Sequence, residues 1–263
     1  MKRLLLLAVA LVASSCTYRE IRPSIAEQSN AVEGAERYGP MRFQPIAPGI
    51  WQHTSYLDLP GFGAVPSNGL IVVDGDRSVL VDTAWNVGQT RALIEWAALR
   101  LGKPIRAAVV THAHSDKMGG MAALHDAGIA TYAHAQSNRI APDKDLLPAQ
   151  NALHFDQDGS LATPLPTVLE PLVIFYPGPG HTDDNITIGI RGRTIVFGGC
   201  LIKAADAQSL GNLQDADIAA YPRSVARFAA AFPDAQTIVM SHAQPGTPKA
   251  IRQTLKLAEA EAR

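Results

Sequence analysis

The feature that most constrains the fold is a short apolar run that ends in a cluster of metal-binding side chains. Residues 105–110 are mainly apolar and β-branched, which is typical of a buried strand. His112, His114 and Asp116 follow at alternate positions, so in an extended or turning segment their side chains can project the same way. A single H-x-H motif is compatible with solvated loop histidines. H-x-H-x-D after a buried strand instead predicts a zinc site at the strand's carboxyl end.

Three more potential ligands stand directly after predicted strands. His181 follows the rigid turn 177–180, Cys200 follows an apolar run and two glycines, and His242 follows the run 238–241. Taken singly, each histidine is equally a solvated loop residue, and the cysteine a small core residue. Their recurrence at strand ends groups them with the first three. A structural zinc site closes with four ligands, so six potential ligands indicate two metals that leave room for water.

The predicted secondary structure mixes hairpins with alternating helices and strands. Strands are predicted over residues 50–57, 69–73, 78–82, 105–110, 172–176, 186–190, 194–197 and 237–240. Helices are predicted over residues 87–101, 121–127 and 217–232, with a last one starting at Thr247 and Pro248. This mixture favours an α/β sandwich over a simple Rossmann sheet.

Size and charge limit the classes of partner. The chain has 263 residues, enough to bury a large core without a disulfide or structural metal. Its formal net charge is −1 and it has no basic stripe, which argues against a nucleic-acid partner. The expected partner is a small molecule and not a nucleic acid, and the expected oligomeric state is a monomer.

The N-terminus has the layout of a secretory signal. Lys2 and Arg3 precede an apolar run over residues 4–12, which is too short for a comfortable membrane span and is followed by small residues and Cys16. This predicts a signal peptide over residues 1–15 of the lipoprotein type, acylated at Cys16, although Ala13 replaces the usual Leu or Val. Ordinary cleavage near residue 15 is the alternative. The predicted location is the periplasm, with anchoring to the outer membrane if Cys16 is acylated.

After the signal peptide, residues 16–42 are mainly polar and predict a flexible tether, with the folded domain over residues 43–263. The chain has two cysteines, Cys16 and Cys200, and the first lies in the targeting segment. Cys200 therefore has no disulfide partner in the mature domain. A lone thiol in an oxidising compartment points to a role other than a disulfide.

Five short segments match a known pattern when taken together. They are HAHSDKMGG at 112–120, PGPGHTDDNITIGI at 177–190, GGCLIK at 198–203, SLGNLQDAD at 209–217 and IVMSH at 238–242. In combination they resemble the metallo-β-lactamases, especially the New Delhi type. The resemblance runs from about residue 49 to the C-terminus. It implies a four-layer αβ/βα sandwich with two zinc ions at one edge of the paired sheets.

The resemblance also implies a division of the ligands between the two zincs. The first would be held by His112, His114 and His181, and the second by Asp116, Cys200 and His242. Glyoxalases, lactonases and RNA-processing enzymes on this fold usually carry H-x-H-x-D-H. Here Lys117 takes the place of the last histidine and a thiolate at Cys200 supplies the second site. This favours the cysteine-containing dizinc subclass.

The implied reaction is hydrolysis of the lactam amide of penicillins, cephalosporins and carbapenems by a zinc-bound hydroxide, which gives antibiotic resistance. The first zinc and the side-chain amide of Asn212 would polarise the carbonyl, and the second zinc would stabilise the departing nitrogen. Asp116 is placed with Asn212 in the catalytic set. Lys203 would pair with the substrate carboxylate, its alternative being a solvated surface lysine.

A glycine-punctuated stretch resembles the mobile hairpin that covers the family's active site. The implied substrate contacts around it are Leu57, Leu59, Phe62, Val65 and Trp85. The alternative is that these apolar residues pack into the core. Pro66 is a departure that could stiffen one arm. Asp82 and Asp215 are expected to orient metal ligands, whereas His53, His125, His134 and His154 match no ligand position.

Two other functions remain open from the sequence. One is a different zinc hydrolase of this fold, acting on lactones or thioesters. The other is a noncatalytic zinc-binding lipoprotein that buffers metal. Lys117 in place of a histidine argues against the first, and the open coordination positions with Asn212 and Lys203 argue against the second.

Overall fold

The computed structural model describes residues 34–263. The predicted signal peptide, the proposed acylation at Cys16 and the tether up to residue 33 lie outside the described residues. Within residues 34–263, no helix is both long enough and apolar enough to span a bilayer.

The first sheet has eight strands that lie in the order in which they occur along the chain. They are β1 Glu36–Tyr38, β2 Met41–Ala47, β3 Ile50–Leu59, β4 Gly63–Asp74, β5 Arg77–Val81, β6 Ile105–Val110, β7 Ala130–His134 and β8 Asn151–Leu153. Strands β1 to β5 pair antiparallel, and β5 to β8 pair parallel.

The second sheet has five strands in the order β13-β12-β11-β10-β9. They are β9 Leu172–Phe175, β10 Thr187–Ile190, β11 Ile195–Gly199, β12 Thr237–Met240 and β13 Ala243–Gly246. Only β11 and β12 pair parallel in this sheet, so the carboxyl ends of these two strands meet at one edge.

Six α-helices accompany the sheets in the described part of the chain. They are α1 Val87–Leu99, α2 Ser115–Met118, α3 Met121–Asp126, α4 Ala135–Ile140, α5 Tyr221–Ala231 and α6 Lys249–Glu261. Two short 3-10 helices span Ala141–Lys144 and Thr167–Leu169.

Alternation along the strands builds the layers. In β4, Leu70 packs into the core between the sheets, while Ile71 faces the core under α1 with Leu93. In the second sheet, Val239 faces the other sheet and Ile238 faces the core under α5 and α6. Because successive side chains of a strand point to opposite faces, each sheet buries one set of residues on each of its two faces. The result is the predicted four-layer αβ/βα sandwich.

Backbone hydrogen bonds join the two sheets at one edge. The amide of Ile186, just before β10, donates to Thr111 O just after β6 at 2.9 Å. The amide of Asn68 in β4 donates to Ser241 O just after β12 at 2.8 Å. This edge collects the segments that follow β6, β9, β11 and β12, which are those that carry the predicted ligands.

Several predicted elements are confirmed with small shifts at their ends. The predicted strands at 105–110 and 237–240 coincide with β6 and β12. The helix predicted over 217–232 begins only at Tyr221. Residues 218–220 form a turn instead, in which Asp217 Oδ1 accepts a hydrogen bond from Ala220 N at 2.9 Å. Strands β1, β2, β7, β8 and β13 were not predicted.

The predicted tether boundary at residue 42 is wrong in its last residues. β1 and the start of β2 already belong to the first sheet, with Met41 fully buried. Phe43 stacks on Trp96 of α1 with ring centroids 3.9 Å apart, and Trp96 Nε1 donates to the Glu36 carboxylate. The folded domain therefore already includes Glu36. This polar stretch is ordered by its contacts with Trp96 of α1.

Candidate metal centre

Three histidines converge at the joined edge of the sheets. His112 and His114 follow β6, and His181 lies in the loop between β9 and β10. Their potential ligand atoms all lie within 4.8 Å of one another, with His112 Nε2 and His114 Nδ1 3.1 Å apart. The three rings stand nearly perpendicular to one another at centroid separations of 4.7 to 5.3 Å. This is an arrangement in which three nitrogen lone pairs can face one cation.

A second group adjoins the first and shares His112 with it. The ligand atoms of His112, Asp116 and Cys200 also lie within 4.8 Å of one another. His242 completes this group, with Nε2 3.3 Å from Cys200 Sγ and 3.5 Å from Asp116 Oδ2. All six residues predicted as ligands therefore lie together, in two adjoining groups of nitrogen, oxygen and sulfur donors.

Hydrogen bonds set which nitrogen of His112 is free to bind a metal. Asp82 Oδ1 accepts from Thr111 N at 2.7 Å, and Asp82 Oδ2 accepts from the Thr111 hydroxyl at 3.0 Å. Because the Thr111 hydroxyl donates its one proton to Asp82, it accepts a hydrogen bond from His112 Nδ1, 3.3 Å away. His112 Nε2, which faces the other ligands, keeps its lone pair. Asp82 therefore orients a ligand, as predicted, but does so through Thr111.

The same logic applies to two further ligands. His114 Nε2 lies 2.7 Å from Asp215 Oδ2 and donates a hydrogen bond to it. The lone pair of His114 Nδ1 is therefore free to bind a metal. His242 Nδ1 donates to Pro66 O at 2.7 Å, which leaves Nε2 free to face Cys200. The Nδ1 of His181 is buried and has no hydrogen-bond partner among the described residues.

A buried lysine lies beneath the second group. The Lys117 ammonium is fully buried, 3.1 Å from Asp116 Oδ2 and 3.7 Å from Asp82 Oδ2. It also donates to Ser67 Oγ at 2.9 Å, and that hydroxyl donates onward to Asp116. The sequence identified Lys117 only as the replacement for a histidine and gave no sign of Ser67. A lysine next to an aspartate that is itself a ligand was the available signal.

The charges of this group stabilise one another. Burial disfavours the Lys117 ammonium, but the Asp116 carboxylate and its neighbours outweigh burial and raise the pKa of Lys117. Burial by itself would raise the pKa of Asp116, but the neighbouring Lys117 ammonium outweighs this effect and lowers that pKa. Asp116 is therefore ionised, which is the state in which a carboxylate binds a metal.

Burial also sets the protonation state of His112 and His181. It is the main cause that lowers the pKa values of His112 and His181 well below the ordinary range for histidine. Neutral imidazole is the form that binds metal, so these side chains need not lose a proton first. Neutral imidazoles together with a carboxylate and a thiol are the donor types that zinc prefers. The donor set fits the predicted metal.

The predicted substrate-binding lysine lies beside the ligands. Lys203 is half-buried, and burial lowers its pKa against the opposing effect of Cys200 and Asp116. Its own charge in turn lowers the pKa of His181, so the amine acts on both groups. The backbone of Lys203 is fixed by hydrogen bonds in both directions with Thr254 Oγ1, at 2.8 and 3.3 Å.

The predicted catalytic amide lies on an exposed loop. Asn212 is solvent-exposed, and its Oδ1 accepts from Gln214 N at 3.0 Å. This contact turns the loop on itself and occupies the oxygen, which leaves the Nδ2 donor of the amide for another partner. The structure gives no contact between Asn212 and the six clustered ligands.

The predicted hairpin is present as β3 and β4, which pair from Leu59 and Gly63 onward. Phe62 at its tip is 82% exposed, so the alternative that it packs into the core is wrong. Leu57, Leu59 and Val65 are half-buried. Trp85 Nε1 donates to Val65 O at 3.2 Å, which places this ring against the base of the hairpin. Pro66 O holds His242, so the hairpin is tied to a ligand.

The remaining histidines have other surroundings. His53 is buried with its Nε2 near Val81 O and Asp82 O, and His125 bonds to Thr131. His134 accepts a hydrogen bond from Gln136 N at the start of α4. Among residues 34–263, neither group of potential ligands includes these three or His154.

Comparison with known proteins agrees with this geometry. A family model described as the metallo-beta-lactamase superfamily matches residues 62–242. A metallo-beta-lactamase type 2 from Bacteroides fragilis is 32% identical over 208 residues, which cover 79% of this chain and 81% of the relative.

Solved structures extend the likeness. A metallo-beta-lactamase from Erythrobacter litoralis, with beta-mercaptoethanol in its active site, is 58% identical with a TM-score of 0.84. The match covers 86% of this chain and 99% of that one. The mono-zinc form of FIM-1 from Pseudomonas aeruginosa is 50% identical with a TM-score of 0.80, covering 86% and 98%. The particular likeness to the New Delhi type stays a prediction.

Proposed function

The chain belongs to the metallo-β-lactamase superfamily and is a hydrolase of that family, and from this premise we propose a dizinc β-lactamase. Its substrates are penicillins, cephalosporins and carbapenems, whose lactam amide it hydrolyses. The observation that carries the proposal is the convergence of six donor residues in two adjoining groups. Relatives named metallo-beta-lactamase type 2 support the choice of substrate class.

Two zinc ions fit the donors as follows. His112, His114 and His181 would hold the first, and Asp116, Cys200 and His242 would hold the second. When bound, zinc supplies Lewis acidity and generates a nucleophile from water near neutral pH. The tautomers fixed by Thr111, Asp215 and Pro66 leave three imidazoles ready to bind.

The chain's own residues orient the substrate. The Lys203 ammonium pairs with the carboxylate that bicyclic β-lactams carry beside the ring nitrogen. The Asn212 Nδ2 donates to the lactam carbonyl oxygen, where negative charge develops. Phe62, exposed at the hairpin tip, covers the apolar part of the substrate and excludes water.

Asp116 has both a structural and a catalytic part in this proposal. Its carboxylate faces Cys200 and His242 on one side and the buried Lys117 ammonium on the other. Lys117 keeps it ionised and fixed, so that it is preorganised as a donor. A lysine and a thiol here, in place of the second-metal histidine of lactonases, also favour β-lactams over lactones.

We further propose export to the periplasm as a monomer, with attachment to the membrane through a lipid at Cys16. The support is the basic, apolar and small-residue order over residues 1–16. Membrane attachment would place the enzyme where β-lactams enter the cell envelope.

A hydrolysis panel tests the proposed activity. The zinc-loaded protein is assayed with a carbapenem, a penicillin, an acyl-homoserine lactone and a glutathione thioester under identical conditions. We expect turnover of the carbapenem and the penicillin, with the lactone and thioester at least tenfold slower, about 1.4 kcal/mol in barrier. Faster turnover of the lactone or thioester would assign the site to another hydrolase branch, and no turnover at all would favour a metal-binding protein.

A further inference from the structure

Lys144, which carries no signal in the sequence, reaches the first metal group through the Asp215 carboxylate. Lys144 ends the short 3-10 helix Ala141–Lys144, and its Nζ lies 2.5 Å from Asp215 Oδ2. The same carboxylate oxygen accepts from His114 Nε2 at 2.7 Å. The three side chains therefore form one chain of contacts, lysine to aspartate to metal-binding imidazole.

The backbone that carries Lys144 is held by hydrogen bonds on both sides. Its helix begins at the fully buried Ala141, whose carbonyl accepts from Leu146 N at 2.9 Å. Asp145 then turns the chain in the left-handed region at φ 56°, with its amide bonded to Pro142 O. The Lys144 side chain is only 29% exposed. The ammonium is thus presented from a fixed backbone and not from a free loop.

Asp215 in contrast belongs to an irregular loop, residues 211–216, which we call the Asn212 loop. Leu210 is buried at one end, and Asp217 N donates to Gly180 O at 3.0 Å at the other. Between these ends, the Asn212 loop forms hydrogen bonds and ion pairs with other segments of residues 34–263 only through the Asp215 carboxylate. That carboxylate is therefore the polar anchor of the loop.

We propose that Lys144 is a positioning residue of this metal centre, which holds the Asp215 carboxylate against His114 and thereby fixes both that imidazole and the Asn212 loop. The inference rests on the metal centre of the proposed function. Through Asp215, Lys144 keeps the proton on His114 Nε2 and the lone pair of Nδ1 directed at the metal. Through the same contact, it limits the positions open to Asn212.

The alternative is that Lys144 acts as a second cation for the anionic substrate. The two differ in what happens without substrate. A positioning residue affects metal affinity and loop order in the substrate-free protein. Its effect requires a charged Asp215 carboxylate that can pair with the Lys144 ammonium. A substrate-binding cation affects KM and acts whether or not Asp215 is charged.

A double-mutant cycle on the full chain tests the proposal, with Lys144→Gln, Asp215→Asn and the double variant. Zinc affinity is measured by competition with a chromophoric chelator, and amide hydrogen exchange of residues 211–216 by mass spectrometry on the zinc-loaded, substrate-free protein. We expect Lys144→Gln to weaken zinc binding and speed exchange about twofold to fivefold, the effect typical of a partly exposed ion pair. Asp215→Asn should weaken zinc binding about tenfold or more.

Two controls keep the result specific. Lys144→Arg retains the cation and should restore both readouts. Lys103→Gln removes an equal charge from a half-buried lysine whose ammonium donates to Gly75 O. Lys103 lies just before the start of β6, at the opposite end of that strand from His112. This substitution should leave zinc affinity and loop exchange at the parent's values.

The outcome that supports the proposal is a Lys144→Gln effect that disappears in the Asp215→Asn background. An equal effect in both backgrounds, or unchanged exchange of the Asn212 loop with a raised KM alone, would overturn it in favour of substrate binding. Zinc affinity and amide exchange, unlike KM, are measured without turnover. If the parent binds zinc but fails the hydrolysis panel, the proposed function falls while the cycle still decides the role of Lys144.

Discussion

Replacing Lys117 by methionine removes the ammonium that lies buried between Asp116 and Asp82 while keeping a side chain of similar length. At 3.1 Å and an effective dielectric constant of about 20, one such pair attracts by roughly 5 kcal/mol. Desolvation offsets much of this attraction in the parent, but the variant leaves a buried carboxylate without its cation. Breaking a buried pair in this way typically costs about 3–5 kcal/mol. The metal-free variant should lose that much free energy of unfolding.

Zinc should reduce the loss. A dication bound by Asp116 supplies positive charge next to the same carboxylate, so it replaces part of what Lys117 provides. The destabilisation of Lys117→Met should therefore be smaller in zinc-loaded protein than in metal-free protein. Urea unfolding followed by circular dichroism, with and without zinc, measures both values. Lys103→Met, which removes a lysine whose hydrogen bond to Gly75 O is solvent-exposed, is the matched control and should stay within about 0.5 kcal/mol of the parent.

The pH dependence gives an independent check. Burial raises the pKa of Asp116 but Lys117 lowers it further, so the folded value lies below the unfolded value of about 4. The ion pair thus contributes stability that is complete above about pH 4 and is lost as the pH falls towards the folded pKa. The difference between parent and Lys117→Met in metal-free protein should narrow below about pH 4. An equal stability of the two proteins at pH 7 would refute the reasoning.

Three other predictions concern the metal, the substrate and the membrane. Cys200→Ser should lose the second zinc preferentially, because a serine hydroxyl is hard to ionise and a poor soft ligand; metal analysis that finds two zincs and parental turnover would return Cys200 to a packing role. Lys203→Ala should lower kcat/KM for a carboxylated β-lactam about ten- to a hundredfold, since a charge-assisted contact is worth ~1.5–3 kcal/mol, and Lys203→Glu should lower it further with zinc content unchanged. Parental kinetics in Lys203→Glu would leave Lys203 as a surface charge. Cys16→Ala should move the protein from the membrane to the soluble fraction of cells, and continued membrane binding would exclude acylation as the anchor.

The sequence predicts the strands that bury both faces and the ligands that follow them. β6 and β12 are predicted to the residue because their mainly apolar, β-branched runs are typical of buried strands. β1 and β2 were missed because Glu36, Arg37 and Arg42 break any apolar period, and their order comes from contacts with α1 about 60 residues away. Such non-local partners leave no local signal.

In the candidate site too, the residues with a local sequence signal were predicted and those defined by distant contacts were not. The six ligands were predictable because each is a metal-binding residue type at a strand end. The residues that hold them were less so: Ser67 and Lys144 are ordinary residues in sequence, and their contacts with Asp116 and Asp215 span 49 and 71 residues. Asp82 was predicted in its general role, but the Thr111 hydroxyl that links it to His112 was not.

A zinc titration of activity tests the central claim most directly. Metal-free protein receives zinc in known molar amounts, and carbapenem hydrolysis and bound zinc are measured at each step. Six donors in two groups predict that bound zinc reaches two per chain and that activity continues to rise between the first and the second equivalent. Binding that ends at one zinc per chain, with full activity at that point, would contradict the dizinc account.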